Sequence, residues 1–117
     1  MTSAAESSAK FSGVSKPVRP NEAAEEEFRN SIVWYEQHGI GLGDRLWMDI
    51  QTAIDLIATH NSAGEVVPRV RPRGMIRRIP LRHFPFFLVY REHDDWIEIV
   101  ALAHTSRKPN YWRDRLT

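Results

Sequence analysis

Seven residues near the end of this chain, His104, Arg107, Lys108, Tyr111, Trp112, Arg113 and Arg115, set cations and aromatic rings at close intervals. Such a mixture suits an anionic partner: guanidinium and ammonium groups meet its charge, and aromatic faces add contact area and attract cations. Each of these residues also has a structural reading. His104 is a group that titrates near neutral pH or one that hydrogen-bonds the backbone at a strand end. Tyr111 and Trp112 either touch a partner or pack the tail onto the body of the protein. Arg82, upstream, is a further candidate; its other reading is an ion pair with Glu98 or Asp94 across a hairpin, worth under about 1 kcal/mol if exposed.

The charge of the whole chain points the same way. Residues 1–60 hold five Lys/Arg against nine Asp/Glu, and residues 61–117 hold eleven against six. The basic half fits nucleic acid or an acidic protein segment. Within it, Arg69, Arg71, Arg73, Arg77 and Arg78 form a run that is either a solvated face or a groove for an acidic partner. The chain has no cysteine, which excludes disulfides, thiol nucleophiles and thiolate metal sites. Its five histidines are not paired at helical spacing, so no metal or cofactor is expected. No apolar run approaches the roughly 18 residues of a membrane span, and Met1 to Val14 lacks the basic start and apolar core of a secretory signal. The expectation is a soluble, cytoplasmic protein that does not enter membranes.

Periodicity places these residues on elements. Residues 1–15 are rich in Ser and Ala, with little to bury, and are expected to be a disordered tail or to follow a start site set too early. Residues 16–117 are expected to form a single domain, since about 100 residues support one core. Lys16 to Arg19 is a candidate edge strand. A helix then opens at Asn21, with Glu22, Glu25, Glu26 and Glu27 near its positive end and a stripe of Ala24, Phe28, Ile32 and Tyr35. Gly39, Gly41 and Gly43 separate it from a second helix over 44–60, whose stripe is Leu46, Ile50, Ala53, Ile54 and Ile57. That glycine triplet follows a helix and lacks the Lys-Ser/Thr of a phosphate loop, so it reads as a helix–helix connection. Strands are predicted at Met75 to Leu81, Phe84 to Arg91 and Trp96 to Ala103, the last two joined by His93-Asp94-Asp95. On the middle strand Phe84, Phe86, Leu88 and Tyr90 share a face opposite Phe87 and Val89; on the last, Ile97, Ile99, Ala101 and Ala103 share one. The fold class is therefore α+β: an N-terminal helical hairpin packed on a small antiparallel β-sheet.

In order and spacing, Trp34-Tyr35-Glu36, Gly41-Leu42-Gly43-Asp44-Arg45, Arg82-His83-Phe84-Pro85-Phe86, Val89-Tyr90-Arg91 and Ala103-His104 with Arg107, Pro109, Tyr111, Trp112 and Arg115 form a recurring set. Over residues 16–117 this set resembles the RelE/ParE toxins of bacterial type II toxin–antitoxin systems, in their ParE-like, plasmid-stabilisation branch. The resemblance implies that fold and a toxin neutralised by a cognate antitoxin.

Members with one fold have different targets. Relatives that cut mRNA on the ribosome use basic and aromatic groups to activate a 2′-hydroxyl and stabilise charge on phosphate. By resemblance those roles fall here to Arg107, Tyr111 and His104, while a lysine pair falls at Arg78 and Pro80 and a further arginine at Phe87. Losing that cation turns the expectation towards relatives that bind DNA gyrase and need no hydrolytic centre. The target-binding set is then Arg82, Arg107, Arg113 and Arg115, and the antitoxin-binding set is Arg69, Arg71, Arg73, Arg77 and Arg78. A ribosome-dependent mRNA endonuclease, or a decayed toxin that keeps only antitoxin binding, is the alternative.

Overall fold

The computed structural model describes residues 15–70 and 76–116. The expected disordered tail therefore lies outside the described residues, apart from Ser15, as do Arg71 and Arg73. Asn21 caps helix α1 (Glu22–His38), its Oδ1 accepting the Ala24 N–H at 2.8 Å. Ala24 and Phe28 are buried, and Ile32 and Tyr35 pack at the core's margin, as the spacing predicts. Helix α2 (Leu42–Thr59) buries Leu46, Ile50, Ala53 and Ile57, with Ile54 half-buried.

Two glycines of the helix connection, Gly41 and Gly43, meet local demands. Gly41 has φ +86°, in the left-handed region that costs a residue with a Cβ about 1 kcal/mol or more. Gly43 is the point where the helices touch, since a Cβ there would lie 2.8 Å from the Ile32 carbonyl oxygen. Glu36 closes the turn: its carboxylate accepts the N–H groups of Gly41 and Gly43 at 3.0 and 2.9 Å. Those two backbone hydrogen bonds, Gly41's above all, hold the Glu36 carboxyl below its usual range.

Five strands follow the order β1-β5-β4-β3-β2, with β1 at Val18–Pro20, β2 at Glu65–Val66, β3 at Ile76–Pro80, β4 at Phe86–Glu92 and β5 at Ile97–His104. The meander β2-β3-β4-β5 is antiparallel, but β1 runs parallel to β5, so the sheet is mixed rather than wholly antiparallel. The chain enters beside the strand it will form last, and the direction of that pairing is a tertiary outcome with no local signal. Strand β2 has two residues, too few to show an alternation.

A second departure lies in β5. Val89 pairs with Ala101 but Tyr90 with Ile99, leaving Val100 as a β-bulge. A bulge displaces the alternation by one residue, so Ile97, Ile99 and Leu102 face the helices while Val100, Ala101 and Ala103 face away. The strict two-residue period had put Ala101 and Ala103 with Ile97 and Ile99. On β4, which has no extra residue, the expected faces hold: Phe86, Leu88 and Tyr90 towards the helices, Phe87 and Val89 opposite.

The sheet is covered on both faces. The face away from the helices packs on Trp112 and Leu116 of a C-terminal 3-10 turn (Tyr111–Leu116), with Val67, Ile76 and Val89. Tyr90 ties the α2–β2 loop to the core, donating from its hydroxyl to the Asn61 carbonyl at 2.8 Å and accepting the Gly64 N–H at 2.9 Å.

Because the Ile32 carbonyl cannot move without distorting α1, Gly43→Ala should destabilise the fold by about 1–3 kcal/mol, the ordinary cost of overpacking. Ile40→Ala, at a fully exposed position, should stay within about 0.5 kcal/mol. Urea midpoints of the two variants check the contrast.

Candidate functional site

Strand β1 ends opposite Ile99, so the last residues of β5 have a strand on one side only. Up to Ile99 the odd-numbered residues bond β1: Ile97 N–H donates to Pro17 C=O, and Asn21 N–H donates to Ile99 C=O. Past the bulge the even-numbered residues face the open edge, where unpaired backbone groups would be costly if kept from water.

Side chains fill that edge. Glu27 of α1 accepts the Leu102 N–H at 3.0 Å through Oε1. Arg115 donates to the Val100 carbonyl at 3.0 Å and grips the Glu27 carboxylate with both terminal nitrogens, at 3.0 and 2.8 Å. The Tyr111 hydroxyl donates to Glu27 Oε2 at 2.7 Å and lies 3.4 Å from the Leu102 carbonyl. Two-pronged, charge-assisted contacts of this kind are among the stronger hydrogen bonds in proteins. Burial pushes the Tyr111 phenol well above its usual range, and its bond to the Glu27 carboxylate pushes it further. The same carboxylate raises Arg115.

Around this clamp the tail is held closely. Thr105 N–H donates to the Pro85 carbonyl at 2.9 Å, Asn110 turns the chain at φ +60°, and Trp112 sinks to 3% exposure. His104 Nδ1 accepts the Ser106 N–H at 3.1 Å, and its ring meets Phe86 edge-on at 5.1 Å. The Arg107 guanidinium lies 3.8 Å from the centre of the Tyr111 ring while remaining exposed to solvent. Two depressions flank His104 and Arg107. One, of about 380 Å³, opens between α1 and β5 and is walled by Trp34, Tyr35 and Phe86; the other, of about 90 Å³, lies behind the sheet against Arg78, Phe87 and Tyr111.

The structure thus brings together His104, Arg107, Tyr111 and Arg115, but with different duties. Arg107 and Arg113 are exposed, whereas Arg115 and Trp112 are built into the body of the protein. Arg82 stands apart, in the loop between β3 and β4. It pairs with neither Glu98 nor Asp94, the partners of its alternative reading: burial draws the Glu98 carboxyl upward, but donors from His93, Arg91 and Asn21 outweigh that and hold it low.

The basic run also divides. Arg77 donates to the Ser62 and Gly64 carbonyls at 3.3 and 2.8 Å, fastening a loop. Arg78 lies over the Phe87 ring at 4.5 Å, with its Nε 3.6 Å from Glu65, too far for a hydrogen bond. Arg69 is exposed at φ +65°.

Glu27 is the residue that sequence reasoning missed. Counted among four acids near the helix's positive end, it nevertheless lies three positions after buried Ala24 and next to buried Phe28, which sets it beside the packed stripe. Among the described residues no group of three or more His, Cys, Asp or Glu is placed to hold a metal ion. No helix there is long and apolar enough to cross a membrane.

Residues 18–109 match the family described as the ParE toxin of the type II toxin–antitoxin system, parDE. Comparison with curated proteins gives no significant match. Among solved structures, one titled "Chromosomal ParDE TA system from P. aeruginosa" is similar in fold, with a TM-score of 0.63 at 17% identity, covering 79% of this chain and 98% of that one.

The raised Tyr111 phenol has a stability consequence. A group whose pKa rises on folding adds stability that is complete below its unfolded value, about 10, and is lost as pH climbs beyond it. The urea midpoint should therefore fall above about pH 10, and Tyr111→Phe should reduce that slope without removing it, since burial also raises Tyr90. Glu27→Gln should cost about 1–3 kcal/mol at neutral pH, whereas Arg113→Ala should stay within about 0.5 kcal/mol. Equal losses in the two variants would count against the clamp.

Proposed function

Because the chain belongs to the ParE toxin family of type II toxin–antitoxin systems, we propose that it inhibits growth by binding DNA gyrase, and that a cognate antitoxin neutralises it. The observation that carries this reading is the state of the tail. Arg107, Lys108 and Arg113 are exposed, and no acidic partner meets them among the described residues, while Tyr111, Trp112 and Arg115 hold their backbone in place. A cationic edge prepared in this way loses little conformational freedom on docking. Arg107 and Arg113 make the contact in this reading, and Arg115 supports them from within. The site of action is the cytoplasm.

The ribosome-dependent endonuclease is the weaker reading on physical grounds. Such a reaction needs a group able to take the 2′-hydroxyl proton. The Tyr111 hydroxyl is already committed as a donor to Glu27 and is harder, not easier, to ionise than a free phenol. At the position of the missing cation, Phe87 instead supports Arg78.

The antitoxin should carry an acidic and apolar docking segment, with charge speeding the encounter and apolar contact holding it. A supercoiling assay with purified gyrase tests the toxin reading. Wild type should inhibit, and Arg107→Ala with Arg113→Ala should weaken inhibition at least about tenfold, with a melting temperature near wild type. Intact gyrase activity together with codon-specific cuts in ribosome-bound mRNA would reverse the assignment.

A further inference from the structure

We propose that the cleft between the start of α2 and the β3–β4 loop is a docking site for an acidic peptide segment that carries a large apolar side chain. The cleft measures about 530 Å³ and lies apart from the tail. Arg45, from α2, and Arg82, from the loop, both line it; both are exposed, and neither has an acidic partner among the described residues. Beside them, with Thr52 and His83, lies an apolar surface: Met48 is 66% exposed, and Leu42 and the half-buried Phe84 line the same cleft.

The one acid in the lining does not offset these cations from the surface. Asp49 is buried, and its Oδ2 accepts the His83 N–H at 2.8 Å, with His83 Nδ1 3.4 Å from the other oxygen. Its carboxylate is turned inward onto the loop, so the charge that the rim exposes is that of the two arginines. The loop is further fixed by Phe86 N–H donating to Phe84 C=O at 2.8 Å and by Tyr35 packing edge-on to Phe84 at 4.9 Å.

Two guanidinium groups over an apolar floor select for the chemistry of the occupant. Each matches a carboxylate in two-pronged fashion. Methionine between them adapts to side chains of varied shape. A nucleic-acid backbone would satisfy the cations but leave exposed Met48 and the floor without apolar contact, so the charge and the surface together favour a peptide. The inference stands on the cleft alone; an antitoxin with an acidic, apolar docking segment is its natural source, and the test does not assume one.

The experiment is a titration of the isotopically labelled full chain, followed by NMR. The probe is a synthetic octapeptide alternating glutamate with leucine and phenylalanine. Two controls accompany it: the same peptide with lysine for glutamate, and one with serine for the apolar residues. The acidic apolar peptide should shift Arg45, Met48, Arg82 and His83, bind at least about tenfold more tightly than either control, and weaken with added salt. Arg45→Glu with Arg82→Glu should reduce its affinity by a further factor of about ten or more, while Arg113→Glu should leave it unchanged. The proposal is overturned if millimolar peptide leaves these resonances unmoved, if shifts map to the tail instead, or if the double variant binds as well as wild type. Preference for a single-stranded oligonucleotide, or self-association through this face that the double variant abolishes, overturns it equally. Because gyrase is absent from this test, its failure and that of the toxin reading are separable.

Discussion

The Glu27 carboxylate joins three parts of the chain: α1, which carries it, the free edge of β5, and the C-terminal tail. Its oxygens receive the Leu102 N–H, the Tyr111 hydroxyl and both terminal nitrogens of Arg115. Strand β1 is too short to cover β5, and a carboxylate with its guanidinium partner continues the edge as side chains where backbone ends. A group so used must be fully paired, since a half-buried charge that loses its partner costs far more than a surface pair contributes. That is why the tail is ordered although little of it belongs to a strand or an α-helix.

This arrangement depends on the bulge at Val100. One extra residue makes Val100 and Leu102 the residues whose polar groups meet the open edge, and turns the side chains of Ala101 and Ala103 to the far face of the sheet. Small side chains there leave room for Trp112 and Leu116 to pack, which closes the second core cluster. The anchoring of the tail and the packing beneath it are thus two results of the same shift.

The arginines then divide by what remains of their charge. Arg77, Arg91 and Arg115 are occupied with carbonyls and carboxylates of the fold, and Arg78 lies over Phe87. Arg45 and Arg82 at the cleft beside α2, Arg107 and Arg113 in the tail, and Arg69 ahead of β3 are left to solvent. Counting cations along the basic half therefore overstates its available charge, and two of the places where charge remains are those where partners are proposed.

Much of the framework was legible in the sequence because it rests on local physics. The Asn21 cap, the stripes of α1 and α2 and the two-faced alternation of β4 follow from helical and strand periods. The glycines of the helix connection are also local in part, since a left-handed residue such as Gly41 announces itself. The family, too, could be identified from short motifs in order, and residues 18–109 match it. What only the tertiary structure decided are the relations between distant segments: the parallel pairing of β1 with β5, the bulge that reverses the faces of β5, and the role of Glu27, 88 positions from Arg115. A carboxylate near a helix start looks the same in sequence whether it faces water or an unfinished strand. Only the packing of α1 across β5 determines which, because the partner that fixes its role is brought there by the fold.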